Sequence, residues 1–90
     1  MSHHSIKMED KVNRFKRIAG QINGIQQMVE EDRDCSEILV QIASARAALA
    51  KIGVMMAEDH LDHCVKSSLP KGKGAESVSS LINAMKQMLK

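Results

Sequence analysis

Nine residues from Glu58 to Lys66, "EDHLDHCVK", carry two histidines and a cysteine three and four apart, with no Gly or Pro among them. Residues at that spacing are neighbours on an α-helix, and imidazole with thiolate is a soft-metal ligand set. One helix turn cannot enclose a metal, so at least one further ligand has to come from elsewhere. The remaining cysteine, Cys35, lies 25 residues before His60. At about 100° per residue, Cys35, His60 and Cys64 fall within roughly 40° of one another around a single helix, yet at about 1.5 Å per residue Cys35 and His60 are roughly 37 Å apart along it. One straight helix cannot gather all three. Two copies packed antiparallel can, because the Cys35 end of one chain then lies beside the His60/Cys64 end of the other, and a two-fold axis makes two such sites. Taken singly, a cysteine on a helix is most often a small hydrophobe and a histidine a solvated or hydrogen-bonded side chain. The alignment of Cys35 with the distant pair is what lifts these residues above that background. His63 lies off the shared face and reads as a supporting or surface residue.

The elements that must position these groups are helical. Val12, Phe15, Ile18, Ile22, Ile25 and Val29 recur at steps of three and four and predict a helix from about Lys7 to Glu30, with Gly20 and Gly24 inside it. Each glycine weakens the helix, so a close helix contact is expected there. "EEDRD" (Glu30 to Asp34) breaks the pattern, and Asp34 with Glu37 has the spacing of a capping box, making Cys35 the first residue of a second helix. That helix is expected to run to about Ser67, with Ile38, Ile42, Ala45, Leu49, Ile52 and Met56 as its apolar stripe. "LPKGKG" (Leu69 to Gly74) is the second break. The third helix, about Ala75 to Leu89, carries Val78, Leu81, Ile82, Met85 and Met88. No strand, internal repeat or low-complexity segment is legible. The fold class is all-α, a three-helix protomer in a single domain over 1–90 with a flexible N-terminus at 1–6.

Ninety residues with one Phe, no Tyr and no Trp bury little by themselves, so oligomerisation is expected to supply the missing core. Two cysteines without a secretory signal fit a reducing cytoplasm, and no apolar run is expected to approach membrane-spanning length. The net charge of +2 implies no partner by itself. Its distribution says more. Lys11, Arg14, Arg17 and Gln21, preceded by Lys7, form a stripe beside the apolar face of the first helix, while the acidic residues gather in "EEDRD" and "EDHLD". Such a stripe is about as often a solvated face as a binding surface; repeated by symmetry, it makes a phosphate-contacting surface without a helix-turn-helix signature. No nucleophile–base–orienter constellation is legible, so an enzyme acting on a small organic substrate is not expected.

Three segments, "NRFKRIAGQINGI" (Asn13 to Ile25), "DCSEILVQIASARAAL" (Asp34 to Leu49) and "HLDHCV" (His60 to Val65), resemble the CsoR/RcnR family of bacterial transcriptional repressors, and the resemblance spans nearly the whole chain. It implies an antiparallel dimer with a four-helix bundle core, assembled as a disc-shaped dimer of dimers that binds operator DNA when metal-free and leaves it on binding its inducer. Copper sensors of the family use a Cys from one chain with a His and a Cys from the other, matching Cys35, His60 and Cys64; two thiolates and an imidazole suit Cu(I). The resemblance therefore implies a cytoplasmic Cu(I)-responsive repressor of copper resistance or efflux genes. It also places Arg14 and Lys51 at family DNA-binding positions. Asp34 and Ser80 depart from the family pattern, where copper sensors often carry Tyr and Glu that support the ligand His. The alternatives are a Ni(II)- or Co(II)-sensing repressor recruiting His3 or His4, a persulfide- or formaldehyde-type sensor built on Cys35, and, outside transcription, a metal buffer or helical interaction module that never touches DNA.

Overall fold

The computed structural model describes residues 8–68 and 74–90, with side chains described except those of 63–68, 74, 75 and 77. Three helices follow in order, α1 (Met8–Glu30), α2 (Cys35–Ser68) and α3 (Gly74–Met88), and the described residues include no strand. The expected boundaries agree to within one residue where they fall on described positions. The expected flexible segment at 1–6 and most of "LPKGKG" lie outside the described residues. The chain divides into two compact units, Lys7–Ile52 and Gly53–Lys90, so that α2 contributes to both.

The turn between α1 and α2 shows why "EEDRD" ends one helix and starts the next. Arg33 N–H donates to the Met28 carbonyl at 2.9 Å and Asp32 N–H to that of Val29 at 3.1 Å, while Asp32 adopts φ 57°. These two bonds around one left-handed residue form a Schellman cap, which satisfies carbonyls that the end of α1 leaves open. Asp tolerates the left-handed region better than a β-branched residue does. Asp32→Val is therefore expected to lower unfolding stability by about 1–2 kcal/mol, and Asp32→Gly to leave it nearly unchanged; urea melts of the two variants check this. Two residues on, Asp34 immediately precedes α2, its carbonyl accepting from Ile38 N–H at 3.1 Å. The reciprocal capping box is not made. The Asp34 carboxylate accepts from the Ser36 hydroxyl, and Glu37 instead pairs with Arg33 at 2.9 Å.

Burial is sparse. Among the described residues only Ile18, Ala45, Ile52 and Ala57 are buried, Ile52 almost completely at 1% exposure. Residues expected in the apolar stripes remain open, with Phe15 at 42%, Ile42 at 45% and Leu49 at 47% exposure. The single chain thus leaves much of its helical hydrophobic pattern without a partner.

Two expectations are corrected here. Among the described residues, nothing beyond the helix's own backbone lies within 4 Å of a Cβ built at Gly20 or Gly24, so neither glycine serves a close contact there. The third glycine in a described helix, Gly53, does: a Cβ there would collide with the Met88 Sδ. Second, Cys35–Asp62 (28 residues) is long and apolar enough to cross a membrane by length and composition. Composition hides that length, because the run is Ala-rich and interrupted by Gln41, Arg46 and Lys51 rather than continuously apolar. Cationic side chains in mid-span cost about 2.5–3.5 kcal/mol each at a bilayer centre, and core helices pass the same test.

Candidate metal and nucleic-acid sites

In the Lys7–Ile52 unit, α1 and the first half of α2 enclose an open pocket of about 120 Å³ lined by Arg14, Arg17, Ile18, Gln21, Ala48, Lys51 and Ile52. Its construction follows from helix periodicity. Positions 14, 17, 18 and 21 are successive steps of three, one and three on α1, and 48, 51 and 52 repeat the pattern on α2, so each helix turns one face to the gap. The buried Ile18 and Ile52 make the apolar floor, while Arg14 and Gln21 are half-buried and Arg17 and Lys51 exposed. Three cations line this pocket and no carboxylate does. Mutual repulsion among them is relieved by an anion, and Arg, Lys and Gln all donate hydrogen bonds that phosphate oxygens accept. Four of the five residues singled out for nucleic acid, Arg14, Arg17, Gln21 and Lys51, are thereby brought to one place. The fifth, Lys11, is half-buried one turn earlier on α1 and does not line the pocket.

The three candidate metal ligands are not gathered in this way. Cys35 is a free, exposed thiol at the first residue of α2. His60 is exposed on the same unbroken helix and belongs to the Gly53–Lys90 unit. Cys64 follows one turn later on α2, with its side chain outside the described set. Among the described residues no group of three or more His, Cys, Asp or Glu side chains is placed to hold a metal ion. The donor set itself, two thiols and an imidazole, fits a soft ion such as Cu(I), and the free state of Cys35 keeps its sulfur available. Asp34, beside Cys35, is engaged by Ser36, and Ser80 is exposed on α3.

Sequence reasoning missed the apolar floor of the pocket. Ile18 and Ile52 read as ordinary stripe residues, and nothing in their spacing marks them as lining a basic cavity.

A three-helix chain with a basic pocket between α1 and α2 and a Cys/His/Cys set along α2 matches one family model over residues 7–87, that of the metal-sensitive transcriptional repressors, and the chain belongs to that family. Its relatives are regulators rather than enzymes. The copper-sensing transcriptional repressor CsoR of Bacillus subtilis (strain 168) is 43% identical over 91 residues, covering 100% of this chain and 90% of its own. The copper-sensing transcriptional repressor RicR of Mycobacterium tuberculosis is 34% identical, covering 71% of this chain and 67% of its own. Among solved structures, the copper-sensing repressor CsoR with Cu(I) from Geobacillus thermodenitrificans NG80-2 superimposes with a TM-score of 0.83 at 38% identity, covering 100% of both chains. The nickel-responsive transcriptional regulator InrS gives a TM-score of 0.79 at 31% identity, covering 98% of this chain and 99% of its own.

Proposed function

We propose that this chain is a cytoplasmic, homotetrameric repressor that binds operator DNA when metal-free and leaves it on binding Cu(I), so that copper resistance or efflux genes are expressed. The observation that carries the DNA half is the pocket uniting Arg14, Arg17, Gln21 and Lys51, with Lys11 extending the basic surface along α1. A pocket with cations at its rim and apolar residues at its floor suits a phosphate of the DNA backbone, the contact that dominates affinity and positions a protein on the duplex.

The copper half rests on Cys35, His60 and Cys64 and on the likeness to copper-sensing relatives. Cys35 from one chain and His60 with Cys64 from another complete one set of three donors. When bound, Cu(I) supplies the bonds that tie the two chains together at that point. The open apolar residues of all three helices, among them Phe15, Ile22, Leu39, Ile42 and Ile82, support the oligomer that such shared ligation requires. Within it, the long apolar face of α2 is covered by other copies rather than by lipid.

Ni(II) is the second reading, favoured by the likeness to InrS and by His3 and His4 in the sequence. Anaerobic titration with each metal, X-ray absorption of the loaded protein and operator binding by each form separate the two. A sulfur-rich, three-coordinate Cu(I) site that weakens DNA binding is the expected result. A tight four-coordinate Ni(II) site that needs His3 or His4, with operator binding indifferent to copper, replaces the copper reading.

A further inference from the structure

Mid-helix glycine usually weakens a helix, and Gly53 stands in the middle of α2. The space where another residue would carry a Cβ is filled by the end of the Met88 side chain: a Cβ would collide with Sδ and meet Cε at 3.0 Å and Cγ at 3.7 Å. Met88 is the last residue of α3, so the C-terminal turn of that helix meets α2 at Gly53. Its neighbours on α2 give the contact its interest. Immediately before it come Lys51 and Ile52, which line the basic pocket, Ile52 being the most deeply buried side chain described. Beyond it, Ala57, His60 and Cys64 follow at four, seven and eleven residues, within roughly 60° of Gly53 around the helix. Met88 therefore grips the same face of α2 that carries two of the proposed ligands, at the residue adjoining the pocket.

Resting on the copper-sensor reading above, we infer that Gly53 and Met88 are positioning residues for the sensor's response: their contact holds the end of α3 on α2 so that metal binding along the His60/Cys64 face shifts the segment carrying Lys51 and Ile52. Neither residue touches metal or DNA. Met88 acts through Gly53, and Gly53 through the continuous helix on either side of it. A flexible thioether suits the role, since it fills a notch left by a missing side chain without a rigid shape of its own. Because only the far end of Met88 stands in the way, Gly53→Ala displaces that side chain without unfolding the helix.

The test compares wild type, Gly53→Ala, Met88→Ala and Met88→Leu. Each is titrated against a fluorescent duplex selected by the metal-free wild type from a random DNA pool, with and without saturating Cu(I). Coupling between two sites commonly changes affinity by about 5–150-fold, and the wild-type drop in DNA affinity on copper binding is expected in that range. In Gly53→Ala and Met88→Ala the factor should shrink at least about fivefold, with metal-free DNA affinity and Cu(I) affinity each within about twofold of wild type. Met88→Leu, nearly conserving volume, should restore it. A metal-free readout accompanies these: exchange of the Leu89 amide, which donates to the Met85 carbonyl at 3.0 Å, should quicken in both alanine variants and recover in Met88→Leu. An undiminished copper factor in both alanine variants overturns the inference, whatever the exchange shows. A wild type whose DNA affinity ignores Cu(I) overturns the sensor reading and this inference with it, and that result is read on the wild type alone.

Discussion

Arg14→Ala combined with Lys51→Ala is expected to reduce operator affinity about a thousandfold or more near physiological salt, while Cu(I) uptake stays within about twofold of wild type. The two residues come from different helices and meet in one pocket, so the double variant removes cationic donors from both walls. Each such donor contributes about 1–3 kcal/mol, and an oligomer that places several copies on DNA multiplies the effect. The salt dependence carries the sharper signature. Every phosphate that goes unneutralised should flatten the slope of log affinity against log salt by about 0.9, so the double variant should differ from wild type most at low salt. Lys86→Ala controls for charge: it removes a cation from an exposed position in the last turn of α3 that does not line this pocket, and should change affinity little. Fluorescence anisotropy across a salt series reads both quantities. If the double variant, folded and of unchanged oligomeric state, binds the operator as wild type does with the same slope, the pocket does not bind DNA.

Helices were legible because their signals are local. The three-and-four spacing of Val12, Phe15 and Ile18, and of Ile38, Ile42 and Ala45, decides the helical period by itself, and Asp34 marks the start of α2 through its own chemistry. The details that failed depend on which of several local partners wins. Glu37 has the right position to cap α2, but Arg33 lies one turn before it and offers a charged partner, so the carboxylate pairs there. Likewise the left-handed residue that ends α1 is Asp32 within an acidic run, where no glycine announces it.

The basic pocket was half legible. Arg14, Arg17 and Gln21 follow from the spacing along α1, whereas Lys51 came only from resemblance, because pairing α1 with α2 requires a tertiary register that periodicity does not contain. The same limit hid the Gly53–Met88 contact, made by residues 35 apart in sequence, while Gly20 and Gly24, equally visible as breaks in helix propensity, meet nothing among the described residues of other elements. A glycine states that a side chain is missing; only the packing states whether something fills the space.

Cys35→Ala alone, and His60→Ala with Cys64→Ala together, are each expected to abolish high-affinity Cu(I) binding, and mixing the two proteins is expected to bring part of it back. Cys35 opens α2 and His60 lies 25 residues further along the same unbroken helix, so the proposed site draws its ligands from two chains. In a homodimer of either variant, both sites lack a donor. In a mixed dimer the double variant supplies Cys35 and the single variant supplies His60 and Cys64, leaving one of the two sites whole. Random pairing after joint unfolding and refolding makes about half the dimers mixed, so binding should recover to roughly a quarter of the wild-type stoichiometry. Mass spectrometry of differently tagged chains counts the mixed dimers, and competition against a Cu(I) chelator counts the sites. Metal-free DNA binding by Cys35→Ala should stay close to wild type, since Cys35 does not line the basic pocket. A site built within one chain predicts no recovery at any mixing ratio. Mixed dimers that form in the expected proportion yet bind no Cu(I) would therefore exclude a shared site, and with it the route by which one long helix can present ligands from both of its ends to a single ion.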